Sequence, residues 1–164
     1  MSKFVFHNPC QGKMTLAEVA KEIVYFVQKD SRSNYDLIIG TDSKTNGEAG
    51  KTDFVTAVVI HRIGKGGRYF WSKNVENKIK GLHQRIYQEV MLSIQIAQNL
   101  LKILGKKLND NKIDYHLAIH IDAGENGKSR EVIKEVVGMV RGNGFEAEIK
   151  PRAYAASNVA DRYT

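Results

Sequence analysis

The sequence predicts an α/β fold: a five-stranded mixed sheet flanked by helices, with an added helix at the N-terminus. Two observations carry this expectation. Apolar residues recur at helical spacing in one long and several shorter segments, and five short apolar or alternating runs lie among them. The resulting order is helix, three strands, long helix, strand, helix, strand and short helix, which is the pattern of a layered α/β arrangement. With 164 residues, 42% of them hydrophobic, the chain can bury one core. A single domain over residues 1–164 is expected, 1–34 forming an extension with its helix and 35–164 the core.

The first helix is expected from Thr15 to Gln28, where Leu16, Val19, Ile23 and Phe26 or Val27 repeat at helical spacing and Thr15 with Glu18 has capping-box form. Tyr35 to Thr41 is a nearly continuous apolar run, as in a central strand covered on both faces, and it ends at Asp42. A polar, glycine-containing stretch follows from Thr45 to Lys51. Phe54 to Ile60 and Tyr69 to Val75 then read as strands joined by Gly64-Lys65-Gly66-Gly67, completing an antiparallel meander. Leu82 to Leu104 is the clearest helix, with Leu82, Ile86, Val90, Ile96, Ala97 and Leu100 on one broad apolar arc. Glu89 falls inside that arc, and a carboxylate aimed inward is costly unless something compensates it. Tyr115 to Ile121 reads as a strand, with Leu117, Ile119 and Ile121 on one face and His116, Ala118, His120 and Asp122 on the other. Ser129 to Val140 reads as a helix, Phe145 to Ile149 as a strand, and Ala153 to Asp161 as a short helix of small residues.

Composition narrows the function. A net charge of +7, from 25 basic and 18 acidic residues, favours polyanions such as nucleic acid without specifying one. Cys10 is the only cysteine, so no internal disulfide forms, and the N-terminus has no apolar signal core; a cytoplasmic protein is expected. No apolar run approaches the roughly 20 residues needed to cross a bilayer, and the segment from His7 to Cys10 is too sparse for a zinc site.

Four acids carry the chemistry. If the strand after the long helix pairs in parallel beside the first strand, Asp42 and Asp122 lie next to each other at one sheet edge, where Glu89 and Asp161 can close over them. Convergent carboxylates with no fixed cation nearby suit hard ions such as Mg2+ or Mn2+, which activate water and stabilise a phosphoryl transition state. Each acid also has a plainer reading: a turn residue for Asp42, a snorkelling glutamate for Glu89, a helix cap for Asp122, a solvated terminal residue for Asp161. Lys44, Lys128, Arg130, Lys150 and Arg152 lie in segments beside these acids, where they can hold substrate phosphates or simply face solvent. His120 shares a strand face with Asp122 and is a candidate neighbour of the site.

Taken together, four segments resemble the ribonuclease H-like superfamily, and within it the YkuK-type branch. They are Ile39-Gly40-Thr41-Asp42-Ser43-Lys44, the helical stretch from Tyr87 to Ser93 around Glu89, His120 to Arg130, and Lys150 to Asp161. The resemblance implies a metal-dependent, nuclease-like phosphodiesterase acting on DNA, RNA or a branched structure. It further implies two Mg2+ or Mn2+ ions, with Asp42 shared between them, Glu89 and Asp122 on one and Asp161 on the other. No histidine lies between Phe145 and Thr164, where relatives that cleave RNA–DNA hybrids often carry one. Two rivals remain. A non-catalytic nucleic-acid or protein-binding module of the same fold would explain the basic excess equally well. An NTPase is suggested by the segment from Asp122 to Ser129, which nearly copies a phosphate-binding loop but has Asp122 at the place of its first glycine.

Overall fold

A computed structural model describes residues 4–47, 50–124, 127–153, 158–159 and 162–163. Among these residues seven strands and three helices follow one another as β1 (Phe6–Asn8), β2 (Gly12–Met14), α1 (Leu16–Gln28), β3 (Asn34–Asn46), β4 (Lys51–Arg62), β5 (Gly67–Asn77), α2 (Gly81–Asp110), β6 (Asp114–Ile121), α3 (Arg130–Gly142) and β7 (Glu146–Ile149). They build one sheet in the order β2-β1-β5-β4-β3-β6-β7. The meander β3-β4-β5 is antiparallel, whereas β6 pairs in parallel with β3 and β7 in parallel with β6. The mixed α/β class is therefore as expected, but the sheet has seven strands, not five.

The two extra strands come from the N-terminal segment, which is more than an added helix. The β1–β2 hairpin pairs with itself and then, through Phe6 and His7, with Ser72 and Trp71 of β5. Its turn is held by Asn8, whose Oδ1 accepts the backbone N–H groups of Cys10 (2.9 Å) and Gln11 (3.2 Å), and Gly12 supplies the positive φ of 73° that closes it. The N-terminus of α1 carries the capping box: Thr15 Oγ1 accepts the Glu18 N–H, and Glu18 accepts the Thr15 N–H.

All three helices bury their apolar stripes against one face of the sheet. Val19, Ile23 and Val27 of α1, Val90, Ile96, Leu100 and Leu104 of α2, and Val132, Val136 and Val140 of α3 share a core with Leu37, Ile39, Val58, Ile60, Ile119 and Ile121. Each such aliphatic side chain contributes roughly 1.5–3 kcal/mol on leaving water. The opposite face carries a smaller cluster of Ile38, Val55 and Ala57, with Val59, Trp71, Val159 and Tyr163 against it. Burial from both sides explains why β3 reads as an uninterrupted apolar run. Leu82, expected in the buried arc of α2, is exposed instead, because it stands in the first turn before the helix reaches the core. No described helix is long and apolar enough to cross a membrane.

Candidate active site

The parallel pairing of β3 with β6 decides which acids meet. Thr41 lies opposite Ile121 in that ladder, and the next residues are Asp42, still on β3, and Asp122, just past the end of β6. Asp42 is not at the end of its strand, as expected from the apolar run; β3 continues to Asn46, and Asp42 pairs with Val55 of β4. It is the parallel partner that stops, so the opening lies beside Asp42 on the β6 side.

Glu89 reaches the same place from α2. Its side chain is buried, with 8% of its surface exposed. Ser43, the residue after Asp42, donates its hydroxyl to Glu89 Oε1 at 2.5 Å. Burial pushes the Glu89 pKa from 4.5 up to about 8; the Ser43 hydrogen bond opposes that rise, the negative charge of Asp42 adds to it, the Arg85 guanidinium opposes it, and Asp122 adds to it. Asp42 and Asp122 thus both add to the effect of burial on Glu89. At neutral pH Glu89 carries its proton, which relieves both burial and the like charges.

A buried run of hydroxyls fixes α2 over the strand. Thr41 Oγ1 lies 2.8 Å from both Thr56 Oγ1 and Ser93 Oγ, and Ser93 Oγ donates to the Glu89 carbonyl at 3.1 Å. Because Ser93 spends its hydrogen on that carbonyl, it accepts from Thr41, and Thr41 in turn accepts from Thr56. Thr41→Val removes the middle link and leaves the Ser93 and Thr56 hydroxyls short of a partner. A loss of about 1–2 kcal/mol is expected, read as a lower midpoint in urea unfolding. Neither Ser43 nor Ser93 stands out in the sequence as a functional residue. The available signals were adjacency to Asp42 for Ser43 and, for Ser93, a hydroxyl one turn beyond Glu89 on the buried face.

Asp122 is compensated differently. Lys150 Nζ lies 2.7 Å from its Oδ1, and the Lys150 backbone N–H donates to the Ala123 carbonyl at 3.1 Å, which holds the end of β7 against the residues that follow β6. Lys150, expected to hold a substrate phosphate, thus engages one of the acids. Lys44, Lys128, Arg130 and Arg152 are exposed. Asp161, and most of the short helix expected around it, lie outside the described residues, as do Glu125 and Asn126 of the loop before α3. His120 is buried, its Nδ1 has no hydrogen-bond partner, and burial lowers its pKa to about 4, with Asp36 opposing the shift and His116 adding to it. It is neutral at physiological pH, and the titratable groups that act on it are Asp36 and His116. Among the described residues, no three His, Cys, Asp or Glu side chains stand close enough together to hold an ion.

Comparison with known proteins agrees with this architecture. A family model described as Ribonuclease H-like matches residues 18–164, so α1 lies almost wholly within the family's own span. The chain is 35% identical over 172 aligned residues to the uncharacterized protein YkuK of Bacillus subtilis (strain 168), an alignment that covers 98% of this chain and 97% of that one. No solved structure matches it significantly. With the family model spanning β3 and α2, which carry Asp42 and Glu89, and β6, which leads into Asp122, the chain belongs to the ribonuclease H-like family, as a protein of the YkuK type.

Proposed function

We propose that the protein is a divalent-metal-dependent, nuclease-like phosphodiesterase acting on nucleic acid, with Asp42, Glu89, Asp122 and Asp161 as metal ligands. One observation carries this reading: Glu89, buried on the core side of α2, takes a hydrogen bond from Ser43, the residue after Asp42, at the point where the β3–β6 ladder brings Asp42 and Asp122 side by side. A fold that only needed packing would place an apolar residue there.

The donor chemistry fits Mg2+ or Mn2+, since every candidate ligand is a carboxylate oxygen. The present compensation is of an exchangeable kind: a proton on Glu89 and the Lys150 ammonium on Asp122. Asp161 enters the set through the family resemblance. When bound, such an ion supplies a water of lowered pKa and stabilises charge on the phosphoryl oxygens. The chain's own residues do the rest. Ser43 orients Glu89 Oε1, the Thr56–Thr41–Ser93 run holds the helix that presents it, and Lys150, freed from Asp122, is in place to meet a phosphate.

A second reading has its own support. Because Glu89 holds a proton and Asp122 pairs with Lys150, these two acids do not require a cation, and a binding module of the same architecture would be stable. One assay separates the two. Purified protein is incubated with single-stranded, duplex, RNA–DNA hybrid and four-way-junction substrates in Mn2+, in Mg2+ and in EDTA. Cleavage of at least one substrate that appears with metal and disappears with chelator is expected. Salt-sensitive binding to these substrates with no product under any condition would establish the binding module instead.

A further inference from the structure

Arg85 lies on α2 one helical turn before Glu89, and its Nε is buried without a hydrogen-bond partner. Buried donors are nearly always paired, because an orphan has given up water and gained nothing in exchange; for a charged guanidinium the cost is larger. Four residues apart on one helix, Arg85 and Glu89 lie on the same side of α2. A residue that served only to neutralise Glu89 would be expected to pair with it. Glu89 Oε1 instead takes its hydrogen bond from Ser43.

The surroundings indicate what Arg85 lacks. His83, in the first turns of α2, lies 3.4 Å from the Lys128 carbonyl, which brings the start of the helix against the segment leading to α3. Lys78 and Lys80 before the helix, and Lys128 and Arg130 across from it, are exposed. Positive groups from two segments thus flank the first turns of α2, the helix that carries Arg85 and Glu89, a setting that attracts a polyanion rather than a lone carboxylate. We propose that Arg85 is a phosphate-binding residue, its guanidinium fork taking the non-bridging oxygens of a nucleic-acid phosphodiester at the edge of the acidic site. This inference rests on the nucleic-acid reading above but not on turnover. Arginine suits the role because its planar fork matches two phosphate oxygens and its charge persists at any working pH.

The test uses the full chain, in EDTA so that nothing is cleaved. A fluorescein-labelled single-stranded DNA and its duplex are titrated by anisotropy across a salt series for wild type, Arg85→Met, Arg85→Lys and Glu89→Gln, and ATP binding is measured by calorimetry in parallel. Arg85→Met is expected to weaken DNA binding about tenfold and to reduce the slope of log affinity against log salt by about 1. Arg85→Lys is expected to recover the slope but only part of the affinity, and it decides the matter if the Met variant does not fold. Unchanged affinity and slope in Arg85→Met would overturn the proposal. So would a loss that Glu89→Gln reproduces and Lys does not relieve, since Arg85 would then act only through Glu89. Dependence on Arg85 for ATP but not for DNA, or a wild type that binds neither DNA probe, would overturn it too. Arg85-dependent binding by a protein that cleaves nothing would uphold the phosphate contact and remove only the catalytic reading.

Discussion

Asp42→Asn is expected to abolish metal-dependent cleavage, lowering the rate by on the order of 10³-fold or more, equivalent to about 4 kcal/mol of transition-state stabilisation. The substitution keeps the size and shape of the side chain and leaves the β3–β4 ladder, in which Asp42 pairs with Val55, free to form. What it removes is one negative charge at the opening beside the end of β6. The variant should therefore fold, as judged by circular dichroism and thermal melting, while losing its response to Mn2+. A second readout is independent of turnover. The Asp42 charge helps to raise the Glu89 pKa, so its removal should move that pKa down, as followed by NMR titration of the Glu89 carboxyl carbon. Equal product yields from wild type and Asp42→Asn would end the catalytic claim. A Glu89 pKa that did not move would show that the two groups are too far apart to share a site.

Much of this arrangement was legible in the sequence because it depends on periodicity and strand order. The α2 stripe is long enough to expose Glu89 as an acid among Ile86, Val90 and Ile96, and parallel pairing of the strands before and after α2 puts Asp42 and Asp122 side by side once the ladder is drawn. Features set by contacts between distant, short or polar segments were not legible. Phe6–Asn8 and Gly12–Met14 have three residues each, too few to show alternation, and they become strands only because β5 offers them an edge. The continuation of β3 through Ser43, Lys44, Thr45 and Asn46 runs against the weak strand preference of its Lys and Asn, and is won by the β4 residues Lys51 to Phe54 opposite. The Lys150–Asp122 pair follows from β7 running parallel to β6, which brings together residues far apart in the chain. No spacing rule announces such a contact.

The same buried carboxyl that marks the site should make the metal-free protein less stable as pH rises. Glu89 ionises near 4.5 when unfolded and at about 8 when folded. Below pH 4.5 both states carry the proton and the group contributes no pH dependence. Between about 4.5 and 8 only the native state holds it, so the unfolded state gains with each step in pH; above about 8 both have lost it and the effect is complete. At about 1.4 kcal/mol per pH unit, the total is on the order of 3–5 kcal/mol. Glu89→Gln isolates this contribution. Glutamine has the same shape, its Oε1 still accepts from Ser43, and it cannot ionise, so the variant should be the more stable protein at pH 8 without metal. The difference between wild-type and variant unfolding free energies, measured by urea titration from pH 4 to 9, should decline through that window and then level off. Mn2+ should reverse the order. A dication beside Asp42 and Asp122 takes over the compensation that the proton provides, so metal binding below pH 8 should release a proton, strengthen as pH rises and stabilise the wild type by mass action. Glu89→Gln should lose most of that gain. A difference curve that is flat or climbs with pH would mean that Glu89 is not held neutral inside the fold, and the case for a shared acidic centre would go with it.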